Sequence, residues 1–113
     1  MSTYQKVVGP ATVNLVAPSD DAITLGQVIL SCDSTLGAIT INLPSIASLG
    51  SALNMVYVVK DAAGQSGVNA ITVVSSVLPV DKINNLPNIV MAVGFQATKL
   101  EVADTNSWLA YKA

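Results

Sequence analysis

Apolar and polar residues alternate with a period of two through most of this sequence, a spacing that places neighbouring side chains on opposite faces of a β-strand. In residues 38–43, for example, Ile39, Ile41 and Leu43 share one face. Apolar residues at helical spacing occur in residues 45–53, where we expect one or two helical turns. The sequence therefore predicts an all-β fold.

Turn-forming residues interrupt the alternation about every 8 to 12 residues, which is typical of sandwiches and barrels. Residues 53–60 are apolar on both faces, so we expect a central strand there. Residues 26–32 and 38–43 are expected to be neighbours in one sheet, and a hairpin is expected between 12–16 and 22–25. Further strands are predicted at 69–74, 80–83, 89–95, 98–103 and 108–111. The predicted architecture is a compact antiparallel β-sandwich or barrel, jelly-roll-like.

The chain has 113 residues, of which 51% are hydrophobic, enough for one core but not for two. No internal repeat of fixed period and no linker divides it. We therefore expect a single domain over residues 7–113. Residues 1–6 lack the alternation, and we predict an extended N-terminal arm that orders against a neighbouring molecule.

Charge and the length of the apolar runs exclude two classes of partner. The chain has no arginine and no histidine, its net charge is −2 and its pI is near 4.5, so it lacks the basic surface that nucleic acids need. Its apolar runs are too short for a membrane-spanning helix. The N-terminus does not resemble a secretory signal, so we expect synthesis in a cytoplasm.

The titratable residues do not form a recognisable catalytic set. Without histidine, the commonest general base and metal ligand are missing. Asp20 and Asp21 are adjacent, so an extended backbone points them in opposite directions. Cys32 shares a strand face with apolar residues and is expected to pack in the core. We predict no enzyme activity, no cofactor and no metal; the rival interpretation is a small hydrolase or lyase that acts through carboxylates.

Low charge instead favours association. Only 11% of the residues are charged, against about 25% in average domains. A strand-rich chain with few lysines and prolines has little to protect its sheet edges, and a closed symmetric assembly would cover them. The sequence therefore favours an oligomeric structural module.

Four segments resemble the β-rich modules of tailed-bacteriophage virion proteins, which occur in tail fibres, spikes and head fibres or decorations. Residues 38–44 resemble the TITLP-like strand of these modules, and residues 58–64 resemble their VKDxxG strand and loop. Residues 69–73 resemble the NxITI strand, with Val73 at its last position, and residues 100–108 resemble the closing DGTxW-like hairpin, with Asp104-Thr105 in place of Asp-Gly.

The resemblance implies a homotrimer located in the virion. Because 113 residues leave no room for a fibre shaft, we expect a small capsid decoration or cement protein that binds the major capsid protein or other virion proteins. The alternative is a short tail-fibre, spike or adaptor protein that binds a host glycan or another fibre subunit.

Position in the chain and residue type indicate candidate interface residues. Anchoring to the capsid or to an adjacent subunit is assigned to Ser2, Thr3, Tyr4, Gln5 and Lys6. Packing in the core or along a trimer axis is assigned to Tyr57, Met91 and Phe95. The last strand carries Trp108 and Tyr111 on opposite faces, where core or interface packing is expected and ligand stacking is the alternative.

Overall fold

A computed structural model describes residues 2–16, 26–52, 55–75, 81–94 and 96–112 of the chain. The described elements are ten strands and one short 3-10 helix. The strands are β1 (Ser2–Val8), β2 (Ala11–Asn14), β3 (Gln27–Asp33), β4 (Ile39–Leu43), β5 (Val56–Asp61), β6 (Ile71–Ser75), β7 (Lys82–Ile83), β8 (Asn88–Met91), β9 (Ala97–Asp104) and β10 (Ser107–Lys112), and the 3-10 helix is Ile46–Ala52. No helix in these described ranges is long and apolar enough to cross a bilayer.

The strands form two sheets. Sheet A has the order β1-β3-β5-β9-β10-β7, and sheet B has the order β2-β4-β6-β8. From β1 to β6 the chain passes alternately from sheet A to sheet B, and successive strands in each sheet are parallel. The first six strands therefore make three stacked coils, each of which contributes one strand to each sheet.

The coils stack in register. Ser2 lies opposite Gln27, which in turn lies opposite Val56, and the same alignment continues along β1, β3 and β5. In sheet B, Ala11 lies opposite Ile39, which lies opposite Ile71. Corresponding positions of the three coils therefore form rows that run across each sheet.

The second half of the chain completes both sheets with antiparallel strands. β9 pairs with β5 and then with β10, and β8 pairs with β6. The short strand β7 pairs in parallel with β10 at the far edge of sheet A. Both sheets are therefore mixed.

The all-β class is confirmed, and so is the helical turn expected in residues 45–53. The antiparallel arrangement is wrong for the first six strands, whose four pairings with one another are all parallel, and for the pairing of β7 with β10. The segments 26–32 and 38–43 lie in different sheets, as β3 and β4. Alternation with a period of two predicts which face a side chain occupies, but parallel and antiparallel neighbours produce the same alternation.

Two other predictions concern the N-terminal quarter. Residues 22–25, one arm of the expected first hairpin, lie outside the described residues. The other arm overlaps β2, which pairs in parallel with β4. The proposed arm, residues 1–6, overlaps β1, which forms an edge of sheet A beside β3.

Both sheets contribute to one core. The prediction of a central strand in residues 53–60 is confirmed, since β5 lies between β3 and β9 and Val59 is fully buried. The rings of Tyr57 and Trp108 meet edge to face, with centroids 5.8 Å apart and an interplanar angle of 67°. From sheet B the core receives Ile39, Ile41, Leu43, Ile71, Val73 and Met91.

The turns that join sheet A to sheet B also stack. Gly37, in the β3–β4 turn, lies against the ring of Pro10 in the β1–β2 turn, and a Cβ at Gly37 would come 2.7 Å from the Pro10 Cβ. The backbone N–H of Gly9 donates to the carbonyl of Asp33 at 2.8 Å, and that of Ala62 donates to the carbonyl of Cys32 at 2.9 Å. Backbone hydrogen bonds thus join each turn to the next coil.

Candidate interaction surface

Charged residues are divided unequally between the two sheets. The four strands of sheet B contain none. The strands of sheet A contain nine, namely Lys6, Asp33, Lys60, Asp61, Lys82, Lys99, Glu101, Asp104 and Lys112. The molecule therefore has one charged sheet and one uncharged sheet.

A row of threonines crosses the outer face of sheet B. Thr12 lies opposite Thr40, Thr40 opposite Thr72, and Thr72 opposite Val90. Their strand neighbours point into the core, so these four side chains point outward. Adjacent strands lie about 4.8 Å apart, which sets the spacing of the hydroxyl groups along this row.

A second row, one pleat further along, carries amides. Asn14 lies opposite Asn42, which is followed by Val74 and Asn88. The Asn42 side-chain amide donates to the Asn14 side-chain carbonyl oxygen at 2.8 Å, so the row is ordered across the strands. The two rows together are here called the Thr/Asn face; its members are Thr12, Asn14, Thr40, Asn42, Thr72, Val74, Asn88 and Val90.

The outer face of sheet A has a different chemistry. One of its rows runs through Tyr4, Ile29, Val58, Lys99 and Tyr111. Partial desolvation, and after it the nearby Glu101 carboxylate, raise the pKa of the Tyr111 phenol. This face therefore mixes aromatic and aliphatic side chains with ionised ones.

An open groove of about 190 Å³ lies where β8 of sheet B faces β9 and β10 of sheet A. Asn84 closes one side: its side-chain carbonyl oxygen accepts from the Ala110 N–H at 3.0 Å, and its amide donates to the Ala110 carbonyl at 2.9 Å. Tyr111 and Lys112 line the groove together with Val90. An aromatic ring, an ammonium group and an aliphatic side chain thus share one concave surface.

Two titratable side chains of the core, Cys32 and Asp61, are fully buried. Burial, followed by the charge of Asp61, raises the pKa of the Cys32 thiol to about 11, which disfavours the nucleophilic thiolate. Asp61 is fully buried and accepts three backbone N–H groups of its own loop. Within the described parts of the chain, no three His, Cys, Asp or Glu side chains are grouped so that they could hold a metal ion.

The candidate interface residues lie in different parts of the structure. Tyr57, Met91 and Trp108 are each 1% exposed and lie in the chain's own core, so their side chains are not available at a surface. Tyr111 is 40% exposed beside the groove.

The remaining candidates lie on β1 or outside the described residues. Ser2, Thr3, Tyr4, Gln5 and Lys6 belong to β1, where Tyr4 is 72% exposed. Phe95 falls outside the described residues. The candidates therefore do not form one contiguous surface.

Sequence reasoning did not find the Thr/Asn face. A signal for it is nevertheless present, because Thr-x-Asn occurs at Thr12–Asn14 and again at Thr40–Asn42, and Thr-x-Val follows at Thr72–Val74. Only the parallel pairing of β2, β4 and β6 brings these tripeptides together.

No protein-family model matches this chain, and no curated protein matches it.

Proposed function

We propose that this chain is a structural protein of a tailed-phage virion: a small capsid decoration or cement protein that binds the head surface as a homotrimer. Its partners are the major capsid protein, or other virion proteins, and its own copies. In this proposal the protein is made in the host cytoplasm and acts in the virion without catalysis.

The exposed apolar surface is the observation that carries the proposal. Within the described ranges, ten large apolar or aromatic side chains are at least 40% exposed, in a chain of which only 11% is charged. Three of them, Leu86, Val90 and Val93, lie on β8 or close to its ends. Since β8 is an edge strand of sheet B, apolar side chains exposed on and beside it favour contact with another chain.

The mechanism is burial of surface area in many symmetric copies. Each Å² of apolar surface removed from water contributes about 25 cal/mol, and a standard interface covers about 800 Å² on each partner. On a capsid, repeated sites raise the effective concentration of each copy, so modest contacts become sufficient. The stacked, hydrogen-bonded coils supply a rigid body whose surfaces hold their shape.

The finer architecture belongs to the same proposal. Sheets A and B are taken as the two layers of a sandwich, since residues of both sheets fill one core. Three such sandwiches are taken to assemble around an axis.

The test is binding to purified heads that lack the protein. We expect labelled protein to cosediment with the heads, to saturate at a fixed number of copies, and to be displaced by unlabelled protein. Decorated heads should withstand a higher temperature before they release DNA. Absence of saturable binding to heads, or turnover of a substrate, would contradict the proposal.

The alternative, a short tail-fibre or spike protein that binds a host glycan, has one supporting feature. Tyr111 is exposed beside a groove that also carries polar groups, an arrangement suited to stacking against a sugar. The other aromatic candidate, Trp108, is buried. Retention on a glycan array that Tyr111→Ala abolishes, together with no binding to heads, would favour this alternative.

A further inference from the structure

We infer that the Thr/Asn face of sheet B is the surface through which copies of this chain associate. This inference deepens the proposed function and rests on its claim that the protein is a homo-oligomer: in the homotrimer, the three Thr/Asn faces would meet around the three-fold axis. It identifies which of the two sheets carries the contact and which remains exposed to solvent or to other partners.

The first argument is the distribution of charge. Protein interfaces are depleted of charged residues at their centres, because an ion that loses water without gaining a partner is costly. All nine charged residues found in strands belong to sheet A, and none belongs to sheet B. Contact between two copies of sheet B therefore desolvates no strand charge.

Sheet A would be a poor homotypic surface by the same reasoning. Lys6, Lys60 and Lys99 point to its outer side, and so do the carboxylates of Asp33 and Glu101. Two such faces brought together would desolvate all five charges, and each would need a charge of opposite sign across the interface. Like charges opposed across an interface are strongly unfavourable.

The second argument is self-complementarity. A threonine hydroxyl can donate one hydrogen bond and accept others, and an asparagine amide can also both donate and accept. A surface of such groups can satisfy an identical surface without a partner of opposite charge. Because the rows follow the strand spacing, a second copy presents its groups at the same intervals.

The size of the face determines how strong the contact is. Four strands about 4.8 Å apart and about five residues long, at about 3.3 Å per residue, give a plane of roughly 19 by 16 Å, or about 300 Å². A stable pair of proteins buries about 800 Å² on each side. The contact is therefore concentration-dependent in solution, and crowding of copies on a particle strengthens it.

The test introduces one charge into either sheet at matched positions. Thr40 lies on the middle coil of sheet B and Ser31 on the middle coil of sheet A, and both side chains are half-buried and outward. Sedimentation velocity over about 1 µM to 1 mM measures association. Because Ser31 lies between Lys6 and Lys60, the introduced charge is a carboxylate. We expect Thr40→Glu to raise the concentration needed for half-assembly at least tenfold, and Ser31→Glu to leave it within twofold of the wild type.

Two further measurements distinguish the loss of an interface from a failure to fold. Thr72→Glu, on the next coil, should reproduce the effect of Thr40→Glu, and fluorescence of the buried Trp108 verifies that each variant is folded. Assembly of both folded sheet B variants at wild-type concentrations would overturn the inference, as would equal loss of assembly in folded Ser31→Glu.

Binding to purified heads tests the proposed function independently of this inference. A wild-type protein that is monomeric at all concentrations overturns both this inference and the homotrimer. Saturable binding of that monomer to heads would still support a decoration protein, whereas an oligomer that ignores heads would support the inference and contradict the decoration role.

Discussion

Removal of the Asp61 carboxylate tests whether the loop after β5 holds the third coil together. One carboxylate oxygen of Asp61 accepts the N–H groups of Gly64 at 3.0 Å and Gln65 at 3.2 Å, and the other accepts that of Ser66 at 3.0 Å. The Ser66 hydroxyl in turn donates to the carbonyl of Val93 at 3.0 Å. Gly64 adopts a left-handed conformation (φ 72°), so the sharp turn and the buried carboxylate depend on each other.

The magnitude follows from the donors that would lose their acceptor. A buried donor left without a partner costs about 1–3 kcal/mol, and a hydrogen bond to a charged group contributes about 1.5–3 kcal/mol. In Asp61→Ala three donors lose their acceptor, but water reaches part of this loop, so we expect a loss of about 3 kcal/mol in the free energy of unfolding. Asp61→Asn keeps one acceptor oxygen and sets an NH₂ group against the Ser66 N–H, so we expect about 2 kcal/mol.

Urea unfolding followed by Trp108 fluorescence measures both losses at one fixed protein concentration, since assembly would shift the midpoint. With a slope of about 1–3 kcal/mol per M, a loss of 3 kcal/mol lowers the midpoint by about 1–3 M. Asp33→Asn is the control, because Asp33 ends β3 as Asp61 ends β5 but is open to water. An Asp61→Ala midpoint equal to that of Asp33→Asn would refute the reasoning.

Two further predictions concern the turns and the core. Gly37→Ala would force a Cβ to within 2.7 Å of the Pro10 Cβ, so we expect a loss of about 1–3 kcal/mol in thermal or urea unfolding, whereas Leu36→Ala, at a 78% exposed neighbour, should change little. The Cys32 thiol has a pKa raised to about 11 from 9.0, so the unfolded chain loses this proton first as the pH rises. Stability is therefore expected to fall between about pH 9 and 11 relative to Cys32→Ala, and an identical pH profile for the two proteins would contradict this explanation.

The alternation of side chains was sufficient to predict the inward and outward faces of most strands. Ile39, Ile41 and Leu43 all lie fully buried on one side of β4, as the pattern indicates. The burial of Val59 in a central strand follows from the same sequence information, because its segment is apolar on both faces. These features depend on neighbours one or two residues away, where sequence patterns are informative.

The order of strands could not be predicted in the same way. Alignment of Ser2 with Gln27 and of Gln27 with Val56 means that the repeat lengthens from 25 to 29 residues in sheet A. In sheet B, Ala11 aligns with Ile39 and Ile39 with Ile71, so the repeat lengthens from 28 to 32. The sequence therefore does not reveal the stacked coils, because turns of different length remove the fixed period by which repeats are recognised.

The Thr/Asn face also needs an explanation beyond strand formation. Charged side chains are compatible with the outer positions of strands in this fold, since Lys60 occupies one on β5 and Lys99 occupies one on β9. Threonine suits a strand through its β-branched side chain, whereas asparagine is depleted in strands, so local propensity does not account for Asn14 and Asn42 in neighbouring strands. Their mutual hydrogen bond at 2.8 Å accounts for the pair within the chain. The association inferred above would account for the absence of charge around it, because a surface that meets its own copy favours groups that both donate and accept hydrogen bonds.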